Sequence, residues 1–455
     1  MLITDATVVT FRRPNEILDG CGLLVADGRI AAIGPSAELE ERHHDAPRLD
    51  ARGQYVMPGN ICAHGHFYSA FAVGMSVPGD PPITLPTILD RLWWPYDRAL
   101  GADEVRLAVE VGMVDAIKNG TTTYFDHHSS PNCIDGVLDL IASVVTDAGL
   151  RAVLCFEVTD RDGPERATAG IAENARFVDR CSGGPVGGGR IAASFGIHAP
   201  MTVSDATLAA CRESVPAGAG FHVHVGEHEY DQYRSLAMSG TRSVERLHNH
   251  DMLGERSIMA HAIHLDAREV MLLAETGTAS SHQPRNNMNV GDGIAAVESQ
   301  MRAGVRVCLG NDGLAPTMWR EAEAAYLLQK IAHRDARRLP TDQLLEIAVY
   351  NNAALASLYF PDAPVGMIAE GAAADLILVD YQPATPMTPA NIGGHLVFAM
   401  NESMITTTIV AGQVLMRDRE LLTVDEQEVK ARCREAAPAF WERYEAGVPD
   451  RPVLG

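Results

Sequence analysis

The sequence lacks the cysteine patterns that mark a disulfide framework. Its eight cysteines are scattered over 455 residues, at positions 21, 62, 133, 155, 181, 211, 308 and 433, and form no CxxC pair. Most of them stand in apolar runs, where a free thiol behaves as a small buried hydrophobe. We therefore expect the protein to work in a reducing compartment.

Long apolar segments are missing as well. No uninterrupted apolar stretch is long enough to span a bilayer, which takes about 20 residues. The first residues, Met1 to Asp5, have neither the basic nor the apolar segment of a secretory signal. We expect no membrane partner and a cytoplasmic location.

Positive charge is scarce. The chain has 37 Lys and Arg against 59 Asp and Glu, a formal net charge of −22. Nucleic acids and anionic membranes bind faces rich in Lys and Arg, so neither is expected as a partner. The apolar share of 46% is ordinary for a globular protein, and the length suits a large domain with a smaller module.

What the sequence does have is a regular alternation of short apolar runs and helical patterns. The runs are the one ending at His64 and His66, then 121–128, 151–159, 191–198, 221–227, 257–264, 276–282 and 305–312. Helical stretches, such as 102–118 and 318–333, follow them. Such alternation predicts parallel βα units, and eight units close most economically into a TIM barrel. The fold class is therefore predicted to be α/β with a (β/α)8 barrel.

Both ends of the chain have strand-and-turn texture. Short apolar runs fill residues 1–57, and the texture returns at 374–379 and 406–415. Neither piece has enough strands for a stable sheet alone. We predict a composite β-sandwich domain from 1–57 plus 366–425, a barrel domain over 58–365, and a helical extension over 426–455.

His64 and His66 end the first barrel run with one residue between them. Side chains two apart in an extended chain leave on the same face, so the two imidazoles point together. Converging neutral imidazoles suit zinc or iron(II). A chance pair of histidines capping a strand is the alternative interpretation.

The residues at the ends of the other apolar runs favour the metal-site interpretation over the chance pair. Nearly every run ends in polar residues, which a barrel gathers at its carboxyl-terminal face; these are His127, His198, His224, Glu227, His261, His282 and Asp312. On the fifth run, His222 and His224 share a face and Glu227 follows on the turn. Three imidazoles and one aspartate would bind one divalent metal and leave a position for water. A nearby carboxylate could then carry protons.

Several motifs together resemble the amidohydrolase superfamily, and within it the branch of cytosine deaminase and methylthioadenosine/S-adenosylhomocysteine deaminase. They are PGxxxxHxH at 58–66, HxxE at 224–227, AHxxHL at 260–265, and the Asn-Asp-Gly at 311–313. The likeness runs the full length and includes the stretch 370–376. Segments 66–69, 92–94, 126–131, 156–161 and 286–289 look more narrowly like the SsnA-type aminohydrolases.

The resemblance implies a role for each motif residue. His64, His66, His224 and Asp312 match the metal ligands, and Asp312 would also accept a proton. Glu227 matches the proton shuttle, and the resemblance makes His261 the residue that holds the hydroxide or the substrate's leaving side.

The fourth run ends at 196–200 without a lysine, whereas relatives with two metals have a carbamylated lysine there. We therefore expect one divalent metal, zinc before iron(II).

Four side chains are candidates for substrate binding: His127, His198, Trp93 and Arg285. Strand two ends over the metal, which favours a cavity role for His127. At most one of Trp93 and its neighbour Trp94 is expected to stack on an aromatic substrate. Arg285 could meet a substrate carbonyl or carboxylate, although an ordinary surface arginine is an alternative. The roles of His128, Trp94 and His282 stay open.

The predicted function is that of a deaminase, a hydrolase that replaces an exocyclic amine by oxygen on a small nitrogen heterocycle. Purine, pterin, pyrimidine or triazine rings fit equally well. One alternative keeps the site and cuts another C–N, C–Cl or ring amide bond, as in triazine hydrolases or imidazolonepropionase. A remote alternative is an inactive scaffold, but such chains lose the ligands that this one keeps. A homodimer is expected from the relatives.

Overall fold

A computed structural model of the protein describes residues 1–449. Its strands, in chain order, are β1 (Leu2–Val9), β2 (Ile17–Ala26), β3 (Arg29–Pro35), β4 (Arg48–Asp50), β5 (Tyr55–Pro58), β6 (Asn60–Gly65), β7 (Thr121–His128), β8 (Arg151–Phe156), β9 (Ile191–Ala193), β10 (Phe195–Ile197), β11 (Phe221–Val225), β12 (Ile258–His261), β13 (Ala279–His282), β14 (Arg306–Leu309), β15 (Leu376–Val379), β16 (Ile405–Val410), β17 (Gln413–Arg417) and β18 (Glu420–Leu421).

The α-helices are α1 (Ser36–Arg42), α2 (Leu85–Ile88), α3 (Trp94–Ala99), α4 (Ala102–Lys118), α5 (Val137–Ala148), α6 (Pro164–Ser182), α7 (Asp205–Glu213), α8 (Glu229–Ser239), α9 (Ser243–Asn249), α10 (Ala267–Thr276), α11 (Pro284–Val290), α12 (Val297–Ala303), α13 (Met318–His333), α14 (Thr341–Leu345), α15 (Asn351–Tyr359), α16 (Ile392–Phe398) and α17 (Glu426–Gly447). A π-helical turn at Leu89–Trp93 joins α2 to α3.

The central strands form the predicted parallel barrel. One sheet runs β6–β7–β8–β9 and the other β10–β11–β12–β13–β14, so the fourth barrel strand is split into β9 and β10. The barrel closes where Gly65 bridges Asp312 in parallel, and the Asn311 amide donates to the His64 carbonyl over 2.9 Å. All eight apolar runs of the central region therefore become barrel strands, which confirms the predicted fold class.

The two ends of the chain share one sheet. Its order is β18–β17–β16–β15–β5–β1–β2–β3, with β4 on β1. The junction is the antiparallel pair of β5 and β15, where Met57 lies opposite Ile377. One apolar core joins residues from both ends, among them Leu23, Val56 and Leu376. The composite β domain is thus present, because neither end could bury its apolar face alone; the exact boundaries 1–57 plus 366–425, 58–365 and 426–455 stay predictions.

The run 406–415 differs from its sequence pattern. It reads as one apolar run but forms the hairpin of β16 and β17. Ala411 and Gly412 both have positive φ, 46° and 75°, which is the turn geometry that fits two antiparallel strands.

Helix α17 packs on the segment between β6 and α4. Phe440 stacks on Phe71 with ring centroids 5.0 Å apart, and Tyr444 donates a hydrogen bond of 2.9 Å to the Arg91 carbonyl. Residues 450–455, the end of the predicted extension, lie outside the described residues. Within 1–449, no helix combines the length and apolar character needed to cross a membrane.

Candidate active site

The first part of the site is built where β6 meets the end of β14. Strand β6 is buried almost throughout, and His64 and His66 stand at its carboxyl end. Gly65 between them has no room for a side chain, since a Cβ there would lie 1.9 Å from the Tyr124 hydroxyl. The backbone of Asp312 has φ 59°, a left-handed conformation that costs free energy in a residue with a side chain. The strand therefore carries two imidazoles beside one carboxylate.

The four predicted metal ligands converge on one point. The Nε2 atoms of His66 and His224 are 3.3 Å apart, and His66 Nε2 lies 3.2 Å from Asp312 Oδ1. His64 Nε2 is 3.9 Å from Asp312 Oδ2. The donor atoms of His64, His66 and His224 all lie within 4.8 Å of one another. This spacing is that of side chains arranged around a single cation.

The far nitrogens of these imidazoles are held by other groups. His66 Nδ1 lies 2.5 Å from the His127 carbonyl oxygen, and His224 Nδ1 lies 2.8 Å from the His198 carbonyl oxygen. Because a carbonyl only accepts, Nδ1 carries a proton in both rings, and Nε2 is the atom that faces the centre. Such partners orient the imidazoles that bind metals. His64 Nδ1 meets His222 Nε2 at 2.8 Å.

The residues present fit a divalent metal. The Nε2 atom of His64 is buried and has no hydrogen-bond partner among the described residues, which is costly for a polar atom unless a cation lies there. Burial, together with the neighbouring imidazoles, lowers the pKa of His64 and His224 well below its usual range. Both rings are therefore neutral, as a metal requires of its imidazole ligands.

His66 and Asp312 behave as a charged pair. Burial alone would lower the pKa of His66, but the hydrogen bond and charge of Asp312 outweigh it and raise the pKa to about 9. Burial alone would raise the pKa of Asp312, and His66 and His261 reverse this and lower it. Asp312 is therefore an ionised carboxylate, and a cation between the two residues would replace the His66 proton.

His261 is held in the opposite tautomer. Its Nδ1 lies 2.9 Å from the Asn287 amide nitrogen, a donor, so the ring proton sits on Nε2. That Nε2 lies 3.3 Å from Asp312 Oδ2 and 3.6 Å from Glu227 Oε2. Like Asp312, His261 has positive φ, 71°. The ring thus offers an N–H donor to the centre rather than a lone pair.

Glu227 lies in the cavity wall with Asp292 behind it. Neither carboxyl oxygen of Asp292 has a hydrogen-bond partner among the described residues, so its charge acts on Glu227 without compensation. Burial, reinforced by Asp292 and Asp312, raises the pKa of Glu227 well above its usual range; burial also raises the pKa of Asp292 to about 7. Glu227 is therefore a protonated carboxyl group that can donate.

The cavity above the centre is small and polar. Its volume is about 50 Å³, and its wall includes Trp93, Trp94, His198, Glu227 and Asp312. That volume holds little more than ordered water.

A buried charge cluster forms the wall opposite Glu227. Arg161 Nη1 lies 3.1 Å from Glu157 Oε1, and Arg161 also pairs with Asp97 and Asp162. Burial raises the pKa of Asp97 to about 7 although the Arg161 charge lowers it. Arg98 also pairs with Asp162 over 2.7 Å, so two guanidinium groups serve three carboxyl groups here.

The chain's family is given by its similarity to known proteins. The model of the amidohydrolase family matches residues 55–415, which is most of the chain. The chain belongs to the amidohydrolase family. A second model, the bacterial imidazolonepropionase-like composite domain, matches residues 22–46 in the terminal sheet.

Three relatives of this amidohydrolase cover nearly its whole length. It is 32% identical to a 5-methylthioadenosine/S-adenosylhomocysteine deaminase of Haloarcula marismortui, over 97% of this chain and 99% of the relative. It is 31% identical to a 5'-deoxyadenosine deaminase of Methanosarcina barkeri, over 98% and 99%. Its structure is similar to that of an adenosine deaminase from Xanthomonas campestris with bound zinc, with a TM-score of 0.83, 26% identity and 98% of each chain covered.

Two of the predicted substrate-binding residues of this amidohydrolase lie elsewhere. His127 is not in the cavity wall but behind the ligand histidines, with its ring centroid 4.5 Å from that of His224. Arg285 is also outside the wall, and its guanidinium lies 3.1 Å from Glu321. Neither side chain is therefore placed to contact a substrate in this cavity. The other two predicted substrate-binding residues, His198 and Trp93, line the cavity.

Sequence analysis assigned no role to the side chains that stand behind the motif residues. They are His222 behind His64, Asn287 behind His261, and Asp292 behind Glu227. His222 carried a signal, since it shares a face of β11 with His224, and Asn287 lies in the segment 286–289 that was singled out by resemblance. Asp292 carried none, and the contacts of both Asn287 and Asp292 with residues of other strands form only in the folded barrel.

Proposed function

We propose that this amidohydrolase is a metal-dependent deaminase acting on an aminated purine of the adenosine type. The observation that carries the proposal is the convergence of His64, His66, His224 and Asp312 beside Glu227. Three imidazoles and one carboxylate match the requirement of a single divalent cation, with room for water. Relatives named as deaminases of adenosine derivatives support the type of ring.

Zinc is the metal we propose, with iron(II) as the alternative. Imidazole binds both ions well. Zinc is favoured because the relative from Xanthomonas campestris carries it at 26% identity and full coverage. His64, His66, His224 and Asp312 would hold the ion. A divalent cation lowers the pKa of a bound water toward ~7, so that hydroxide is available at neutral pH.

The chain's own groups would move the protons. Asp312 is ionised and accepts a proton from the attacking water. His261 donates its Nε2 hydrogen to the attacking oxygen and holds it in place. Glu227 is protonated and delivers a proton to the ring nitrogen as the oxygen adds. The carboxylate left on Glu227 then takes the hydroxyl proton of the addition product and passes it to the departing amine, which leaves as ammonia as the C–N bond breaks and the C=O bond forms. The proton held by Asp312 returns to Glu227 through solvent.

Two rivals differ in what they predict. A hydrolase of another C–N, C–Cl or ring amide bond would use the same centre but release no ammonia from an aminated purine. An inactive scaffold would have no need for the four ligands and for Glu227, all of which this chain retains. We also propose a cytoplasmic location, which the net negative charge and the free cysteines support, and a homodimer, which is expected by analogy with relatives.

The test is ammonia release by protein of known metal content. The panel should include adenosine, 5'-deoxyadenosine, 5'-methylthioadenosine and S-adenosylhomocysteine, with guanine, cytosine and an aminated triazine as other ring types. We expect ammonia from at least one adenosine derivative, and its loss after chelation and return with zinc. Protein holding one metal per chain that releases ammonia from no aminated ring would overturn the proposal.

A further inference from the structure

A cavity of about 730 Å³ lies at the end of the barrel opposite the metal-binding residues. Arg151 begins β8 and Arg256 precedes β12, and both line this cavity. By contrast, His64 and His261 stand at the carboxyl ends of their strands. The volume is in the range of small-molecule sites, roughly 300–1,000 Å³. The cavity is therefore separate from the proposed active site.

Four guanidinium groups line the cavity, in a protein with a large excess of negative charge: Arg29, Arg151, Arg190 and Arg256. Only Arg151 has a carboxylate partner among the described residues, the buried Asp375, with Nε and Oδ2 2.8 Å apart. Arg29 and Arg190 bond to backbone carbonyls, which are neutral. Most of the positive charge here is thus not neutralised by a carboxylate.

Arg256 has the most capacity for a ligand. Its guanidinium lies over the Tyr359 ring, 4.6 Å from the centroid, and its Nε is buried without a hydrogen-bond partner in the described part of the chain. Burial lowers the pKa of Arg190, and the nearby charge of Arg151 lowers it further. An anion would relieve that repulsion and give Arg256 a partner.

The glycine-rich loop 183–189 borders the same cavity. Gly188 and Gly189 have positive φ, 67° and 83°, and a Cβ on either would meet nothing within 4 Å. Glycine therefore leaves bare backbone beside the guanidinium groups, as in loops that approach phosphate closely. The acidic groups in the lining, Asp27 and Asp362, are solvent-exposed, so water and salt screen their charge.

We propose that this cavity binds a phosphate-bearing small molecule. The planar forks of the arginines match phosphate oxygens, and the glycine loop gives the phosphate space against the backbone. The site goes beyond the proposed deaminase function and does not depend on it.

The test is calorimetric titration of the metal-loaded protein with inorganic phosphate, AMP and adenosine. We expect phosphate and AMP to bind with a dissociation constant below about 1 mM. Arg256→Gln should weaken both by roughly tenfold or more, since one charge-assisted contact is lost. Adenosine binding and deaminase turnover should stay as in the wild type, because Arg256 is remote from the active site.

Arg302→Gln is the matched control. Arg302 is exposed, lies outside the cavity, and among residues 1–449 its side chain bonds only to the Ser299 hydroxyl, so its loss should change nothing. Should Arg256→Gln fail to fold, Arg29→Gln replaces it, because Arg29 also lines the cavity without a carboxylate partner. Tighter binding of AMP than of phosphate would indicate that the cavity recognises a nucleotide. Equal affinities would indicate that it recognises the phosphate group alone. No phosphate binding by the wild type, or equal binding by Arg256→Gln and Arg302→Gln, would overturn the proposal.

Discussion

The carboxyl group of Asp292, on the loop after α11, acts on that of Glu227, on the turn after β11, and together with burial raises its pKa. Neither oxygen of Asp292 has a hydrogen-bond partner among the described residues. Two neighbouring carboxylates repel each other, so the pair favours holding a proton. This keeps Glu227 in the protonated form that a donor to a ring nitrogen needs.

Removing the charge behind Glu227 should move the pH dependence of turnover. In Asp292→Asn the nearby carboxylate is gone, so the raised pKa of Glu227 falls. Protonated Glu227 is then lost at lower pH, and the alkaline limb of the kcat profile should shift to lower pH while metal content stays unchanged. A profile that superimposes on that of the wild type would show that Asp292 does not act on Glu227.

Glu227→Gln should separate chemistry from metal binding. The variant keeps the size of the side chain but loses the proton, so kcat should fall by ~10²–10⁴-fold with metal content near wild type. Asp312→Asn removes a ligand and a proton acceptor together, so both metal content and kcat should fall. Elemental analysis beside steady-state kinetics checks both, and loss of metal in Glu227→Gln would recast Glu227 as a ligand.

The purified protein should hold about one divalent metal per chain. A second group, His127, Glu157 and His224, also has donor atoms within 4.8 Å of one another. Arg161 lies 3.1 Å from Glu157 and already supplies positive charge there, so a second cation should be excluded. Two tightly held metals per chain in elemental analysis would contradict this.

The buried ion pair of Arg151 and Asp375 should be a main support between barrel and terminal sheet. The side chains are only 6% and 1% exposed, so Asp375→Asn leaves a buried, unpaired guanidinium. The free energy of unfolding should fall by about 3–5 kcal/mol, measured by urea denaturation. Glu38→Gln, which breaks the exposed pair with Arg42, should cost less than ~1 kcal/mol. Similar losses in both variants would refute the argument.

Gly65→Ala should disrupt the site through sterics alone. Its Cβ would overlap the Tyr124 hydroxyl, so β6 and β7 would have to move apart. We expect a loss of about 3 kcal/mol or more of stability and weaker metal binding, because His64 and His66 flank the glycine. Gly34→Ala is the control, since nothing lies within 4 Å of a Cβ there. Thermal unfolding and metal analysis distinguish the two.

The barrel and its proposed ligands could be predicted because they follow from local pattern. Each of the eight central apolar runs alternates with a helical pattern, as in βα units, and parallel strands bring their carboxyl ends to one face. His64, His66, His224 and Asp312 therefore had to lie near one another once eight such runs were recognised. The shared terminal sheet followed for a similar reason, since neither end has enough strands to stand alone.

The sequence by itself thus determined the order of the strands, the face on which the polar ends gather and the types of metal ligand present. Only the tertiary structure decided which groups stand behind them. Asn287 sets the tautomer of His261, Asp292 helps to raise the pKa of Glu227, and Glu321 pairs with Arg285 outside the cavity wall. These pairs join different βα units, and no periodicity within one unit encodes a contact made across the barrel.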